Sequence, residues 1–400
     1  MDLQALPGHR HMGQVTLSRK RTIFIIAGET SGDRHAADLV KALLAIQPEW
    51  QFHGIGGDRM QQAGVKLMYH LSDLAFLGIA EVVRHLPTIL RVQKDVQRRL
   101  ASGVTAVILV DYPGFNLRIA RMANEMGIPV IYYICPQLWA WGQKRVEKIR
   151  KYVDLPLVIF KFEESFFARF GIRAHWVGHP LVDQLTHILP EKAFRKKYGL
   201  AADRHIVALL PGSRKMEVQQ LLPMMIAAME ELAGSHRITP IVGKPEHLEM
   251  AFYRQLIPDG VPVIDQDVSA LMKHAHFALV ASGTATLELG YLQTPMIVMY
   301  RVAPITYFLG RLLIKLDHIA LANIVAGKPV VPELIQHHLT VERVKQHARR
   351  YLEDENYYAT VKSGLASIPG VLGPPGASER AARQIADFLI RSLSGKITTR

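Results

Sequence analysis

Several features of secreted, metal-binding and membrane-spanning proteins are scarce in this sequence. Its 400 residues contain one cysteine, Cys135, which excludes a disulfide framework and favours a reducing compartment. No ladder of Cys and His residues suggests structural zinc. No stretch reaches the roughly 18–20 uncharged apolar residues of a spanning helix, and residues 1–20 lack the apolar core of a signal peptide. We therefore expect a cytoplasmic protein, either free or attached to the inner surface of a membrane.

Positive charge, by contrast, is abundant. The chain has 48 lysines and arginines against 35 aspartates and glutamates, a formal net charge of +13. Such an excess suits nucleic acid, an anionic membrane surface or anionic substrates. Because the basic residues are scattered and no nucleic-acid-binding module is visible, we expect no nucleic-acid partner. Two cationic amphipathic segments, 73–99 and 304–316, could lie on an anionic bilayer, or could be buried helices with solvated basic faces.

Strand and helix patterns alternate along the whole chain. Short apolar runs rich in Val and Ile are typical of parallel strands covered on both faces. Such runs predict strands at 22–27, 51–55, 106–110, 130–134, 157–160, 175–177, 206–210, 239–242, 261–264, 277–280 and 296–299. Helical periodicity predicts helices at 33–46, 215–232, 341–352 and 377–393. The alternation indicates an α/β protein with two Rossmann-like, doubly wound parallel sheets.

The predicted domains follow from this pattern. Residues 1–21 form a basic, flexible tail, 22–183 a first Rossmann-like domain, and 184–400 a second one that includes terminal helices. The Gly- and Pro-rich stretch 370–378 separates the last two of these helices. Ligands of open parallel sheets bind beyond the carboxyl ends of the strands. We therefore expect two domains facing a cleft, with the chemistry on the loops of both.

Two loops of the second domain suit an anion. In HIVALLPGSRKMEV, 205–218, an apolar run ends at Gly212-Ser213-Arg214 and a helix starts. Free backbone N–H groups and the helix dipole favour an anion there, and the arginine suits bidentate phosphate recognition. The loop ASGTATLE repeats this pattern with Ser282, Gly283 and Thr284, and Glu288 one turn later can bind a ribose. Ordinary helix capping with a solvated Glu288 is the alternative.

In the first domain, Asp111 ends the apolar run of VILVDYPGFN. A carboxylate there can take a proton from an attacking hydroxyl, and its apolar strand can raise its pKa; capping of the next helix is the alternative. The loop AGETSGD, 27–33, matches neither a dinucleotide fingerprint nor a Walker loop. Because Glu29 and Asp33 would repel a pyrophosphate, the loop better suits a sugar or a passing backbone. Ser31 or Asp33 as an N-cap is the alternative.

Aromatic and histidine residues complete the candidates. Trp139 and Trp141 lie beside Gln143, Lys144 and Arg145 and could stack on sugar rings, or pack in a core or an interface. His179, in the sequence GHP, could bind a phosphate, act as a base, or be a structural hinge residue.

Taken together, the motifs resemble the bacterial lipid-A-disaccharide synthase family, glycosyltransferases of the GT-B type. They occur in the order AGETSGD, GIGGDRM, LGIAEV, DYPGFN, W-A-W-x-x-x-R-V, GHPLVD, LPGSR-x-x-E-V, ASGTATLE and NIVAGKPVVPELIQ, over roughly residues 22–345. Each motif alone is weak, but the ordered set is specific. Some relatives have a second acidic residue where this chain has Gly114, and a serine where it has Cys135.

The resemblance implies an activity. The family transfers 2,3-diacylglucosamine from UDP to the 6-hydroxyl of 2,3-diacylglucosamine 1-phosphate (lipid X), which gives a β-1,6-linked disaccharide and UDP. It inverts the anomeric centre, needs no metal or other cofactor, and is peripheral on the cytoplasmic face of the inner membrane. It forms homodimers that exchange C-terminal parts. The alternative is a UDP-N-acetylglucosamine 2-epimerase or another UDP-sugar transferase on the same architecture.

The resemblance also implies roles for individual residues. The general base is Asp111, and the arginine on the leaving phosphate is Arg214. The UDP pocket comprises Gly212, Ser213, Arg214, Ser282, Gly283, Thr284 and Glu288, with Asn323 and Gln336 also near the nucleotide. The candidates for binding acceptor or sugar are Glu29, Ser31, Asp33, Asn116, Trp139, Trp141 and His179.

Overall fold

The computed structural model describes residues 21–73, 86–140, 142–186, 188–302 and 318–393. The expected basic tail falls outside these residues except for Arg21. Trp141, the segment 304–316 and the 74–85 part of the segment 73–99 also fall outside. No helix among the described residues combines the length and apolar composition that crossing a membrane requires.

Two parallel sheets confirm the predicted α/β class. The first sheet has seven strands in the order β3-β2-β1-β4-β5-β6-β7, and the second has six in the order β10-β9-β8-β11-β12-β13. The strands are β1 (Arg21–Ala27), β2 (Trp50–Gly56), β3 (Lys66–His70), β4 (Ala106–Val110), β5 (Val130–Tyr133), β6 (Leu155–Val158), β7 (His175–Trp176), β8 (His205–Leu210), β9 (Ile238–Gly243), β10 (Val263–Ile264), β11 (Phe277–Ala281), β12 (Met296–Tyr300) and β13 (Glu333–Ile335).

Helices alternate with these strands, as the periodicity predicted. Within the described residues they are α1 (Thr30–Ile46), α2 (Asp58–Gln62), α3 (Leu86–Ala101), α4 (Pro113–Glu125), α5 (Val146–Tyr152), α6 (Lys161–Ala168), α7 (Leu181–Gln184), α8 (Glu191–Lys197), α9 (Lys215–Ala233), α10 (Met250–Arg254), α11 (Val268–His274), α12 (Thr284–Tyr291), α13 (Leu321–Ala326), α14 (Val341–Glu353), α15 (Glu355–Leu365), α16 (Ile368–Leu372) and α17 (Ala377–Leu393). The four helices predicted from the sequence are present and differ only at their ends.

The cores lie around the central strands of each sheet. Every residue of β4 and of β11 is buried, as expected for parallel strands covered by helices on both faces. The two strands that the sequence did not predict, β3 and β13, lie at sheet edges. Their residues are mostly half-buried, so they lack the continuous apolar run by which the other strands were found.

The chain divides into two compact units. Of the described residues, 21–73, 86–133, 152–155 and 381–393 form the first unit, and the rest of those between 134 and 380 form the second. The domain ranges expected from the sequence, 22–183 and 184–400, stay a prediction. In the first unit, the carboxyl ends of β1 and β4 are neighbours, and in the second unit those of β8 and β11 are neighbours. These two edges carry most of the candidate residues.

Candidate active site

Asp111 directly follows the buried strand β4, in an uncommon backbone conformation. Asp111 and Tyr112 have φ values of 47° and 49°, a left-handed region that few residues other than glycine adopt. The carbonyl oxygen of Asp111 accepts hydrogen bonds from the Tyr132 hydroxyl at 2.7 Å and from Asn116 Nδ2 at 2.8 Å. Its N–H donates to the Tyr133 carbonyl at 3.2 Å. Strand β5 and helix α4 therefore hold the main chain of Asp111 in place.

The surroundings of Asp111 change its acidity. Burial, followed by the negative charge of Glu29, raises its pKa to about 6. The exposed Glu29 follows β1, which pairs with β4 so that Ala27 lies opposite Val110. At neutral pH Asp111 is therefore ionised, yet it is a stronger base than an ordinary carboxylate.

A mainly apolar pocket of about 30 Å³ is lined in part by Gly28 and Tyr112, the sequence neighbours of these two carboxylate residues. It is lined by Ile26, Gly28, Ile55, Ile89, Val92, Tyr112 and Phe115. The Tyr112 ring lies directly against the backbone of Gly28, where a Cβ atom would come within 2.1 Å of the ring. The edge of the first sheet thus places apolar surface beside a candidate base.

Two candidates in this unit have internal hydrogen-bond partners. Asp33 Oδ1 accepts from the N–H groups of Gly57 at 2.6 Å and Met60 at 3.1 Å, and Oδ2 accepts from Arg59 at 3.1 Å. From the first turn of α1, the Asp33 carboxylate therefore binds the N-terminus of α2. Its contact with a sugar stays a prediction. The alternative of Ser31 or Asp33 as N-cap of α1 is wrong, because the helix begins at Thr30 with Glu29 at the N-cap.

Asn116 is the second of these candidates. Its side chain is fully buried, and Nδ2 donates to the carbonyls of Val110 at 3.2 Å and Asp111 at 2.8 Å. This side chain supports the main chain of Asp111, and its predicted contact with the acceptor sugar stays a prediction. For Glu29 and Ser31, binding of the acceptor stays a prediction.

Trp139 and His179, in the second unit, pack around Phe160. The indole N–H of Trp139 donates to Glu163 Oε1 at 3.0 Å, and its ring meets that of Phe162 edge-on at 5.0 Å. Glu163 is buried, which raises its pKa to about 7. His179 Nδ1 accepts from the Leu181 N–H at 3.2 Å, and burial lowers its pKa to about 3. The burial and the backbone contact of His179 are typical of a structural residue, and its predicted contact with a sugar or phosphate stays a prediction.

The predicted anion loop is present between β8 and α9. Gly212 has a φ of 112°, and α9 begins at Lys215 directly after Arg214. The N–H groups of Ser213 and Arg214 donate to Glu217 Oε2 at 3.2 and 3.4 Å. Arg214 Nη1 donates to Glu217 Oε1 at 3.2 Å. The turn therefore binds a carboxylate of its own chain, a residue that the sequence reasoning did not single out.

The second Gly-rich turn lies next to the first. Strands β8 and β11 pair with Leu210 opposite Val280, so both turns leave the same edge of the sheet. Ser282 Oγ donates to the Ile319 carbonyl at 3.2 Å, and α12 begins at Thr284 after the exposed Gly283. Half-buried Glu288 lies one turn into that helix. The structure thus brings together the two candidate anion loops of this unit.

The amides of Asn323 and Gln336 bind the backbone of the same unit. Asn323 is buried; its Oδ1 accepts from the N–H groups of Val330 and Val331, and its Nδ2 donates to the Val331 carbonyl and to Glu333. Gln336 makes a reciprocal pair of 3.0 Å hydrogen bonds with the main chain of Val302. Both residues shape loops near β12 and β13, and their contact with a nucleotide stays a prediction. No group of three or more His, Cys, Asp or Glu residues suited to a metal ion occurs in the described ranges.

Comparison with known proteins gives a consistent result along the chain. The family model described as lipid-A-disaccharide synthetase matches residues 23–367. A lipid-A-disaccharide synthase of Myxococcus xanthus is 39% identical over 374 residues, covering 92% of this chain and 97% of its own. One from Geobacter sulfurreducens is 37% identical over 380 residues, covering 94% of this chain and 99% of its own.

Solved structures support the fold. A putative UDP-N-acetylglucosamine 2-epimerase from Listeria monocytogenes superposes with a TM-score of 0.63 at 12% identity, covering 96% of this chain and 99% of its own. The calicheamicin glycosyltransferase CalG4 superposes with a TM-score of 0.60 at 15% identity, covering 93% of this chain and 99% of its own. At such low identity the likeness concerns the fold alone.

Proposed function

Because this chain belongs to the lipid-A-disaccharide synthase family, and is therefore a glycosyltransferase, we propose that it joins two acylated sugars into the lipid A disaccharide. The donor is UDP-2,3-diacylglucosamine, the acceptor is 2,3-diacylglucosamine 1-phosphate (lipid X), and UDP is released. The observation that carries the proposal is Asp111, a carboxylate with a raised pKa held at the end of β4 beside apolar surface.

The reaction is a single displacement that inverts the anomeric centre. Asp111 takes the proton of the acceptor 6-hydroxyl while that oxygen attacks the anomeric carbon of the donor. The bond from that carbon to the UDP oxygen breaks, and UDP leaves with the bonding electrons. A pKa of about 6 keeps the base ionised at neutral pH and brings it nearer to the working pH than an ordinary aspartate.

The leaving UDP is bound in the second unit. Backbone N–H groups of the turns at Ser213 and Gly283 point a partial positive charge at the phosphates, and the Arg214 guanidinium adds a full one. We propose that these groups stabilise the negative charge of the leaving phosphates, so that the reaction requires no metal ion. The turn at residues 211–214, called the PGSR turn below, carries no Walker lysine. A leaving UDP therefore suits it better than hydrolysis of ATP.

A UDP-N-acetylglucosamine 2-epimerase, the alternative that the sequence left open, is not favoured. The relatives with 37–39% identity are lipid-A-disaccharide synthases, whereas the likeness to the Listeria epimerase rests on 12% identity. We also propose, from the net charge and the family, attachment to the anionic inner face of the membrane. A homodimer with exchanged C-terminal parts is proposed on the resemblance alone.

The decisive experiment supplies purified protein with UDP-2,3-diacylglucosamine and lipid X and measures the disaccharide 1-phosphate by mass. Asp111→Asn is expected to lower turnover by about 10²–10⁴-fold, because the attacking hydroxyl loses its base. Binding of UDP is expected to persist. Asp259→Asn, at an exposed position, is the matched control.

Full turnover by Asp111→Asn would remove this residue as the base. Conversion of plain UDP-N-acetylglucosamine to its 2-epimer, with no disaccharide formed from the acylated pair, would replace the proposed function by the alternative.

A further inference from the structure

The carboxylate of Glu217 binds the donor groups that the PGSR turn offers to an anion. Oε2 accepts from the N–H groups of Ser213 and Arg214 at 3.2 and 3.4 Å, and Oε1 lies 3.2 Å from Arg214 Nη1. Gly212 makes this approach possible, because a Cβ atom there would lie 2.4 Å from Oε2. One side chain therefore contacts two backbone donors and the candidate phosphate-binding arginine.

These donors are the ones a phosphate would need. They stand at the N-terminus of α9, a helix of 19 residues whose dipole favours negative charge. A phosphate oxygen and the Glu217 carboxylate cannot use the same N–H groups at full strength, and two anions placed side by side repel each other. Binding of a phosphate at this turn therefore requires Glu217 to give up some of its hydrogen bonds.

We propose that Glu217 is an internal anion that competes with the phosphates of UDP for the PGSR turn, so that it weakens the hold on UDP and eases its release. The inference rests on the proposed function, since it assumes that UDP binds at this turn. A diphosphate displaces the carboxylate because it can reach the neighbouring turn at Ser282–Thr284 as well. The Glu217 hydrogen bonds go to Ser213 and Arg214.

The expected size of the effect on UDP affinity follows from the solvent exposure of the two side chains. The side chains of Arg214 and Glu217 are 57% and 29% exposed, so water screens the interaction and the competition is modest. Under the full screening of bulk water, a unit charge about 4 Å away changes an affinity by about fivefold. We therefore expect a tuning of UDP affinity and not an on–off switch.

The test is Glu217→Gln, which removes the charge and keeps an oxygen that can still cap the first turn of α9. Glu230→Gln is the matched control, because it makes the same charge change at an exposed position of the same helix. Binding of UDP and of uridine is measured by calorimetry for the wild type and both variants. Thermal unfolding reports whether the variants are folded.

For Glu217→Gln we expect about a fivefold lower Kd for UDP, an unchanged Kd for uridine and a lower KM for the donor without a higher kcat. Glu230→Gln is expected to behave as the wild type. An unchanged or higher Kd for UDP in a folded Glu217→Gln protein would overturn the inference, since Glu217 would then only support the helix or aim Arg214. Failure of the wild type to bind UDP would overturn the proposed function together with it.

Discussion

Burial shifts the pKa of many residues, and among them Asp111, Glu163 and His179 lie in the candidate motifs or contact them. The pKa rises to about 6 for Asp111 and to about 7 for Glu163, and falls to about 3 for His179. Glu163 accepts hydrogen bonds from the Trp139 indole and from two backbone N–H groups, so its burial serves the packing of a loop. What sets Asp111 apart is its place at a strand end, next to a second carboxylate. A perturbed pKa marks a site only together with such geometry.

The activity is expected to depend on pH through Asp111. Because the ionised form is the base, kcat/KM is expected to fall as the pH drops below about 6. The charge of Glu29 raises the pKa of Asp111, so Glu29→Gln lowers that pKa and moves the acidic limb to lower pH. The pH–rate profiles of the wild type and the variant measure this shift. Glu49→Gln is the control in the same unit, and an acidic limb that stays in place in Glu29→Gln would contradict the assignment.

At the scale of elements, three segments hold the candidate base. Strand β4 brings Asp111 to the edge of the sheet, Tyr132 of β5 donates to its carbonyl, and Asn116 reaches back from the first turn of α4. The left-handed pair Asp111–Tyr112 lies between them. Such a conformation costs free energy and persists only where the surrounding structure enforces it. The hydrogen bonds from β5 and α4 supply that enforcement.

Removal of the Asn116 amide tests this arrangement. Asn116→Ala removes two buried hydrogen bonds, one to the carbonyl of Val110 and one to that of Asp111, which keeps only the Tyr132 hydroxyl as a side-chain donor. We expect this loss to lower the free energy of unfolding by about 1–3 kcal/mol. It is also expected to lower kcat more than it changes the KM for the donor, since Asp111 loses its position. Urea denaturation and steady-state kinetics measure the two effects. Asn124→Ala, on the same helix, is the control, and unchanged stability and kcat in Asn116→Ala would show that the contact does not hold the base.

At the scale of the whole molecule, the dominant feature is net charge. The excess of 13 positive charges is spread over many surface positions, as in Arg91, Lys94 and Arg98 along α3. The proposed attachment to the anionic inner face of the membrane uses this positive charge. Electrostatic attraction of this kind is weakened by salt and depends on anionic lipid.

Vesicle binding tests the proposed attachment. The protein is expected to sediment with vesicles that contain phosphatidylglycerol, and to be released when the salt rises from about 0.05 M to about 0.5 M. Vesicles of phosphatidylcholine alone serve as the control and are expected to bind little. Equal binding to both kinds of vesicle at all salt concentrations would assign the attachment to apolar contacts, and no binding to either would end the proposal of a membrane-attached enzyme.

The sequence by itself was sufficient for the fold class and for most strands. Strands such as β4 and β11 are buried on both faces, so their apolar composition is visible without knowledge of their neighbours. The half-buried edge strand β3 has no such composition and was missed. The order of the motifs was sufficient to identify the family, because many short motifs in a fixed order are specific even when each motif alone is weak.

Only the tertiary structure decided what the polar candidates do. Asp33 and Gly57 lie 24 residues apart, and Val302 and Gln336 lie 34 apart, so no local pattern pairs them. Asp33, Asn116 and Gln336 are polar residues of sequence motifs, and sequence reasoning assigns such residues to ligands. In the structure their hydrogen bonds go to the protein's own backbone. Residue types can be read along the chain, whereas hydrogen-bond partners depend on which loops the fold brings together.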